Sequence, residues 1–386
     1  MNNLANALTD SREKAPELWA ELEPYRFEDQ CQLIRVHRRF VTWGLCELFC
    51  KESARLAVID PARAVECAEL AVLVSDLLKE EASEKTHCLY QLRGYAWAHD
   101  GNARRVLGDL RNADESFSIA DAWWEAGEAE LGDILGYEPI ILDYKASLRT
   151  AQRRFGEAFQ LLDRLFAIHT HGGRLEHRDD HLAGRILVKK AMALEEMGES
   201  EMAIDLLHQA EDLVDARRDP RLLLVLRHNL LWGLAQVERY DEAQELFPEV
   251  QALCQELGNP MDLLRLRWTE GRIFAGQGQT REAIEVFQAL RQDFADRGIA
   301  YDAALVTLEL TALYAKEDRF EEVKELSLEM AEIFRVHEVH REGLAALLFF
   351  QKAAERERAT AKLAREIAAF LEKLRVDPAL RFERRR

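Results

Sequence analysis

Between Leu187 and Met330 a residue pattern returns every 40 positions, and this periodicity constrains the fold more than any other feature of the chain. Gly198, Ala203, Leu206, Leu207 and Ala210 become Glu238, Ala243, Leu246, Phe247 and Val250 one step on. The next step gives Gly278, Ala283, Val286, Phe287 and Leu290. A last step gives Asp318, Val323, Leu326, Ser327 and Met330, where a serine stands in for the large apolar side chain. The boundaries repeat too. Asp219-Pro220 precedes one copy and Asn259-Pro260 the next, each a capping side chain followed by a proline suited to the first helical position. Self-similarity at such a period marks stacked units that bury their apolar faces against one another.

Each unit reads as two helices. In the first copy, Leu187, Ala191 and Leu194 precede a turn at Gly198, and Ala203, Leu206, Leu207, Ala210 and Leu213 follow on one apolar helical face. A small residue at 203, 243 or 283 lets helices approach closely, and the large residue four positions on fills the groove beside it. Val323 and Ser327 reverse the sizes, so the last crossing is expected to pack differently.

Gly271, Phe274, Gly278, Ala283, Phe287 and Leu290 resemble the small, aromatic, glycine, alanine, aromatic and apolar positions of a tetratricopeptide repeat. Trp97, Gly101, Gly108, Leu110, Ala113, Phe117 and Ala120 match that pattern more closely. The usual unit is about 34 residues; the longer spacing here is similar to that of bacterial sensor and kinesin-light-chain-like variants. The resemblance covers about residues 86 to 375. It implies an all-α, right-handed superhelical solenoid of antiparallel hairpins, seven or eight in number, with almost no strand.

Residues 1–26 are read as an arm or short helix, 27–80 as a divergent capping hairpin, 86–375 as repeats and 376–386 as a basic tail. A single array of this length is compatible with one domain, because repeats contact mainly their neighbours. Seventy acidic against 52 basic residues give a formal net charge of −18, which disfavours direct nucleic-acid binding. No apolar run is long enough for a membrane span, and Met1 to Lys14 lacks a signal core, so a cytoplasmic location away from the membrane is expected. Cys31, Cys46, Cys50, Cys67, Cys88 and Cys254 suit reduced, buried thiols better than a zinc site.

The residues of an enzyme are missing: there is no nucleophile elbow, phosphate-cradling loop or paired zinc histidines. His169, His171, His177 and His181, with Asp179 and Asp180, offer metal-ligating atoms but no known ligand spacing, and a polar link is the simpler reading. No metal or cofactor is assigned.

In the family that the chain resembles, first helices line the concave surface. Carrying its inward positions over gives Asn102 and Arg105, then Arg185, then His228, Asn229, Trp232 and Gln236, then Arg265, Trp268 and Arg272. Amides, arginine forks and indoles together suit an extended protein or peptide partner. Against this stands the reading of Trp232 and Trp268 as core residues touching the adjacent helix. The expected function is a non-catalytic scaffold, adaptor or sensor in bacterial-type signalling or regulation. The alternative is a regulatory or inhibitory subunit of a protease, nuclease or toxin system, binding through its convex face or ends.

Overall fold

The computed structural model describes residues 2–57, 59–79, 84–128, 132–133, 135–170, 179–336, 341–355, 360–376 and 380–382. Among them lie eighteen α-helices and no strand. The chain forms two compact units, residues 1–179 and 180–386.

In the first unit, α1 (Asn2–Leu22) and α2 (Phe27–Val36) precede three helix pairs. These are α3 (Trp43–Leu56) with α4 (Pro61–Leu77), α5 (Glu84–Leu107) with α6 (Leu110–Glu128), and α7 (Glu138–Ala151) with α8 (Phe155–Thr170). The N-terminal stretch is thus a helix of 21 residues, and it packs on α3. Its contact is close: Ser11 accepts a hydrogen bond from the Gly44 amide at 2.8 Å, and Arg12 grips Glu47 with two bonds of 2.6 and 2.7 Å. Glu47 also accepts from Trp43 Nε1 at 3.2 Å and from the Tyr137 hydroxyl, so one nearly buried carboxylate ties α1, α3 and the start of α7 together. Burial would raise its pKa, but the bonds from Arg12 and Tyr137 hold it below the usual glutamate value.

The second unit holds α9 (Asp180–Met197) with α10 (Ser200–Glu211), α11 (Pro220–Gln236) with α12 (Tyr240–Leu257), α13 (Pro260–Gly276) with α14 (Thr280–Asp296), α15 (Ala300–Lys316) with α16 (Phe320–Val336), then α17 (Arg341–Glu355) and α18 (Ala361–Val376). Its register follows the sequence repeat. Ala203, Ala243, Ala283 and Val323 are each fully buried at the start of a second helix, and Leu207, Phe247, Phe287 and Ser327 occupy the neighbouring buried site. The turns repeat as well. Gly198, Glu238, Gly278 and Asp318 all take left-handed backbone, with φ of 81°, 62°, 78° and 56°. The amide after each reaches back five residues, Glu199 to Leu194, Arg239 to Leu234, Gln279 to Phe274 and Arg319 to Tyr314, at 2.8 to 2.9 Å. This closure satisfies a carbonyl left open by the helix end and requires the positive φ. The Asp219 and Asn259 side chains cap α11 and α13, Asn259 in a reciprocal box with Asp262.

The end of the unit departs from the repeat. Leu363 falls in register with Val323 in the sequence, yet Ala364 is the fully buried residue, and α18 packs mainly on α15 rather than on α17 before it. Helices α15, α16, α17 and α18 thereby close a four-helix arrangement in which α18 returns to the first-helix side. The tail residues Leu380 and Phe382 pack against the same core, Phe382 with its ring 5.1 Å from Phe370, whereas Arg384, Arg385 and Arg386 lie outside the described residues.

Candidate partner-binding site

Three of the expected groove residues meet on the first-helix side of the second unit. Trp232 on α11 and Trp268 on α13 stand edge to face, ring centroids 5.8 Å apart. The Arg272 guanidinium lies 4.4 Å from the Trp232 ring centroid and 5.5 Å from that of Trp268. The cause is the repeat itself, since Arg272 is 40 residues beyond Trp232 and so occupies the same position on the next first helix.

Burial divides the set. Trp268 is 5 % exposed and packs on Phe294 at 5.9 Å, which makes it part of the core as well as of this cluster. Its indole nitrogen is buried without an acceptor. Trp232 is half-buried. Arg272 is an occupied fork: it bonds Glu309 on α15 at 2.7 and 2.8 Å and Glu372 on α18 at 3.4 Å. Burial works against its charge, but Glu309 and Glu372 more than offset this and raise its pKa. The donors of this guanidinium are thus engaged by carboxylates of the chain's own α15 and α18.

The other expected residues are placed separately. Gln236, at the end of α11, lines a cavity of about 400 Å3 with Glu195, Ser200, Val237 and Glu372. Asn229 donates to the Val225 carbonyl of its own helix at 2.8 Å. The His228 Nε2 is buried without a partner; burial lowers the ring's pKa, Arg265 lowers it further, and Asp262 opposes both. Arg265 itself is exposed, as is Arg185 on α9. Asn102 and Arg105 lie in the first unit, where Asn102 is buried and accepts two bonds from Arg105 at 2.9 and 3.2 Å. Arg105's pKa is lowered, mainly by burial.

Of the histidine link, residues 171–178, and so His171 and His177, lie outside the described residues. His181 is buried and accepts from the Asp215 amide at 3.1 Å. Among the described residues no group of three metal-ligating side chains comes together. All six cysteines are free, and all but the partly buried Cys31 are buried.

Two carboxylates of the site were missed by inspection of the sequence. Glu309 had a signal: it is the only charge between Ala303 and Ala315, and it stands 80 residues, two repeats, beyond Asn229. Glu372 had none, because α18 leaves the register that locates the other residues.

No protein-family model matches the chain, and no curated protein matches it in sequence. Solved structures do match. A Rap protein complexed with Competence and Sporulation Factor aligns with a TM-score of 0.57 and 14 % identity, over 86 % of this chain and 87 % of that one. The fold is a TPR-like helical repeat. Lower similarity is found to the apo form of RapI, at TM-score 0.47 and 13 % identity over 72 % of this chain and 99 % of that one. A Podosopora anserina kinesin light chain with nearly identical TPR-like repeats gives 0.39 and 21 %, over 54 % and 94 %. Among the described residues, no helix is long and apolar enough to cross a membrane.

Proposed function

We propose that the protein is a non-catalytic binding module, an adaptor or sensor that takes a protein or peptide segment on the first-helix side of its second unit. The observation that carries this reading is the Trp232, Trp268 and Arg272 cluster. Half-buried Trp232 offers apolar area, the buried Trp268 indole N–H lacks an acceptor, and the Arg272 guanidinium, held by Glu309 and Glu372, stacks on the Trp232 ring and sets its orientation. Exposed Arg265 and half-buried Asn229 and Gln236 extend the polar edge on the same first helices. The Rap protein with this fold is complexed with Competence and Sporulation Factor, which supports a role in bacterial-type signalling.

The test is recovery of a partner from cells with tagged wild-type chain, followed by affinity measurements on Trp232→Ala, Arg265→Ala and, as a control in the first unit, Arg105→Ala. Binding that falls in the first two variants and holds in the control supports the proposed surface. Equal binding by all three would move the contact to the second helices or the ends, as expected of an inhibitory subunit.

A further inference from the structure

Helix α18 presents one apolar stripe, Ala364, Ile367, Leu371 and Leu374, all at most 2 % exposed, while Lys362, Arg365, Glu366 and Lys373 face solvent. That spacing of three, four and three residues is the seam by which one amphipathic helix docks on another surface. The surface it docks on is the first-helix side. Tyr301 on α15 donates its hydroxyl to the Leu371 carbonyl, Glu372 reaches Arg272 on α13, and Glu372 also borders the cavity beside Gln236 and Glu195. The two contacts of Glu372 fall on Arg272 and beside Gln236, residues of the proposed binding face.

We propose that α18 is an internal occupant of the partner-binding face, and that the partner is an amphipathic helical segment which displaces it by presenting a carboxylate to Arg272 beside an apolar stripe. The inference rests on the functional reading above and names the ligand class for that site.

Three features fit an occupant that can leave. The polar grip on Arg272 is lopsided: Glu309 holds it at 2.7 Å and Glu372 at 3.4 Å, so release of α18 costs the guanidinium its longer bond and leaves the shorter one. The cavity of about 400 Å3 at Glu372 leaves room for a larger side chain than α18 supplies. The Trp268 indole N–H, on the ring beside Arg272, is a buried donor without an acceptor, and a displacing segment that offers it one gains a hydrogen bond. A partner wins by differential affinity for the open form, the only way a ligand can shift such an equilibrium.

The experiment uses the full chain and a labelled synthetic peptide of residues 360–376. Glu372→Arg sets like charge against Arg272 at a side chain that is 39 % exposed, so the fold tolerates it. Tyr301→Phe removes the hydroxyl that donates to the Leu371 carbonyl and keeps the ring. In both variants, backbone amides of α18 should exchange about tenfold faster than in wild type while those of α13 and α15 keep their protection. The peptide should bind Glu372→Arg about tenfold more tightly than wild type, Tyr301→Phe should show no such gain because the same hydroxyl would serve the peptide, and Arg272→Ala in the Glu372→Arg background should abolish the gain. Unchanged exchange of α18 in both variants, or peptide affinity equal in wild type and Glu372→Arg, overturns the proposal. A recovered partner whose affinity depends on Trp232 but is the same for wild type and Glu372→Arg also overturns it, and leaves the binding-face reading standing.

Discussion

Gly271 on α13 lies against the ring of Phe287 on α14 so closely that a Cβ at residue 271 would fall 2.4 Å from the ring. Gly101 and Phe117, separated by the same 16 residues in the first unit, stand in the same relation at 2.7 Å. Gly271→Ala should therefore destabilise the protein by about 1–3 kcal/mol through overpacking, although alanine is the better helix former. Gly156 in α8 has nothing within 4 Å of its would-be Cβ and no positive φ, so Gly156→Ala should be neutral or stabilising by up to about 1 kcal/mol. Thermal or denaturant melts of the two variants test the pair, and equal shifts would mean that this helix crossing is loose.

The turn positions make an opposite pair. Glu238 holds φ of 62° in the turn where Gly198 and Gly278 sit at 81° and 78°. A side chain there costs on the order of 1 kcal/mol that glycine does not. Glu238→Gly should stabilise by about 0.5–1 kcal/mol, and Gly278→Ala should destabilise by about 1 kcal/mol. Denaturant midpoints moving in the same direction for both would contradict the left-handed closure.

Acid should weaken the fold before the carboxylates titrate. His99 is 2 % exposed, sits between Tyr95 at 4.5 Å and Tyr144 at 5.1 Å, and has both ring nitrogens buried. Burial drives its pKa down to about 3 against a weak opposing pull from the Cys50 backbone. As pH falls below about 6.5 the unfolded chain takes up a proton that the folded chain refuses, so stability drops toward pH 3. From pH 7 to 5 the loss from this group should be about 2 kcal/mol. His228, also depressed by burial, adds to it in the same direction. Glu47 contributes only lower, because its depressed carboxyl loses stability as pH falls from about the usual 4.5 through its folded value. Urea melts at pH 7 and 5 check this: His99→Phe should remove most of the difference, and an unchanged difference would assign it to other groups.

The array was legible in the sequence because its packing is a rule about side-chain size. A small residue at 203, 243 and 283, a large one four residues on and a left-handed turn five residues before are local demands that recur with each unit. Trp232 and Arg272 were legible for the same reason, being one position in consecutive copies. Whether each faced a partner or a neighbour was not, because helical spacing gives direction without saying what lies in that direction. Trp268 proved to be core, and Arg272 found Glu309 and Glu372. The place of α18 depends on contacts across about 100 residues, which no local pattern encodes.

The two arginines of the expected face should now separate. Arg265 is exposed, and Arg265→Ala should change stability by less than about 0.5 kcal/mol. Arg272 is only 12 % exposed and sits between two carboxylates and two indoles, so Arg272→Ala strands Glu309 and should cost about 1–3 kcal/mol. If an acidic helical partner uses this face, Arg265→Ala should weaken it by about tenfold at low salt and less at moderate salt, as for an exposed charge within a Debye length. Arg272→Ala should weaken it at both salts, since a desolvated pair is poorly screened. Melting curves and partner affinities of the two variants, each at two salt concentrations, make the comparison. A stability loss without an affinity loss in Arg272→Ala would make that residue purely structural, and the partner's carboxylate would then have to be sought at Arg265 or off this face.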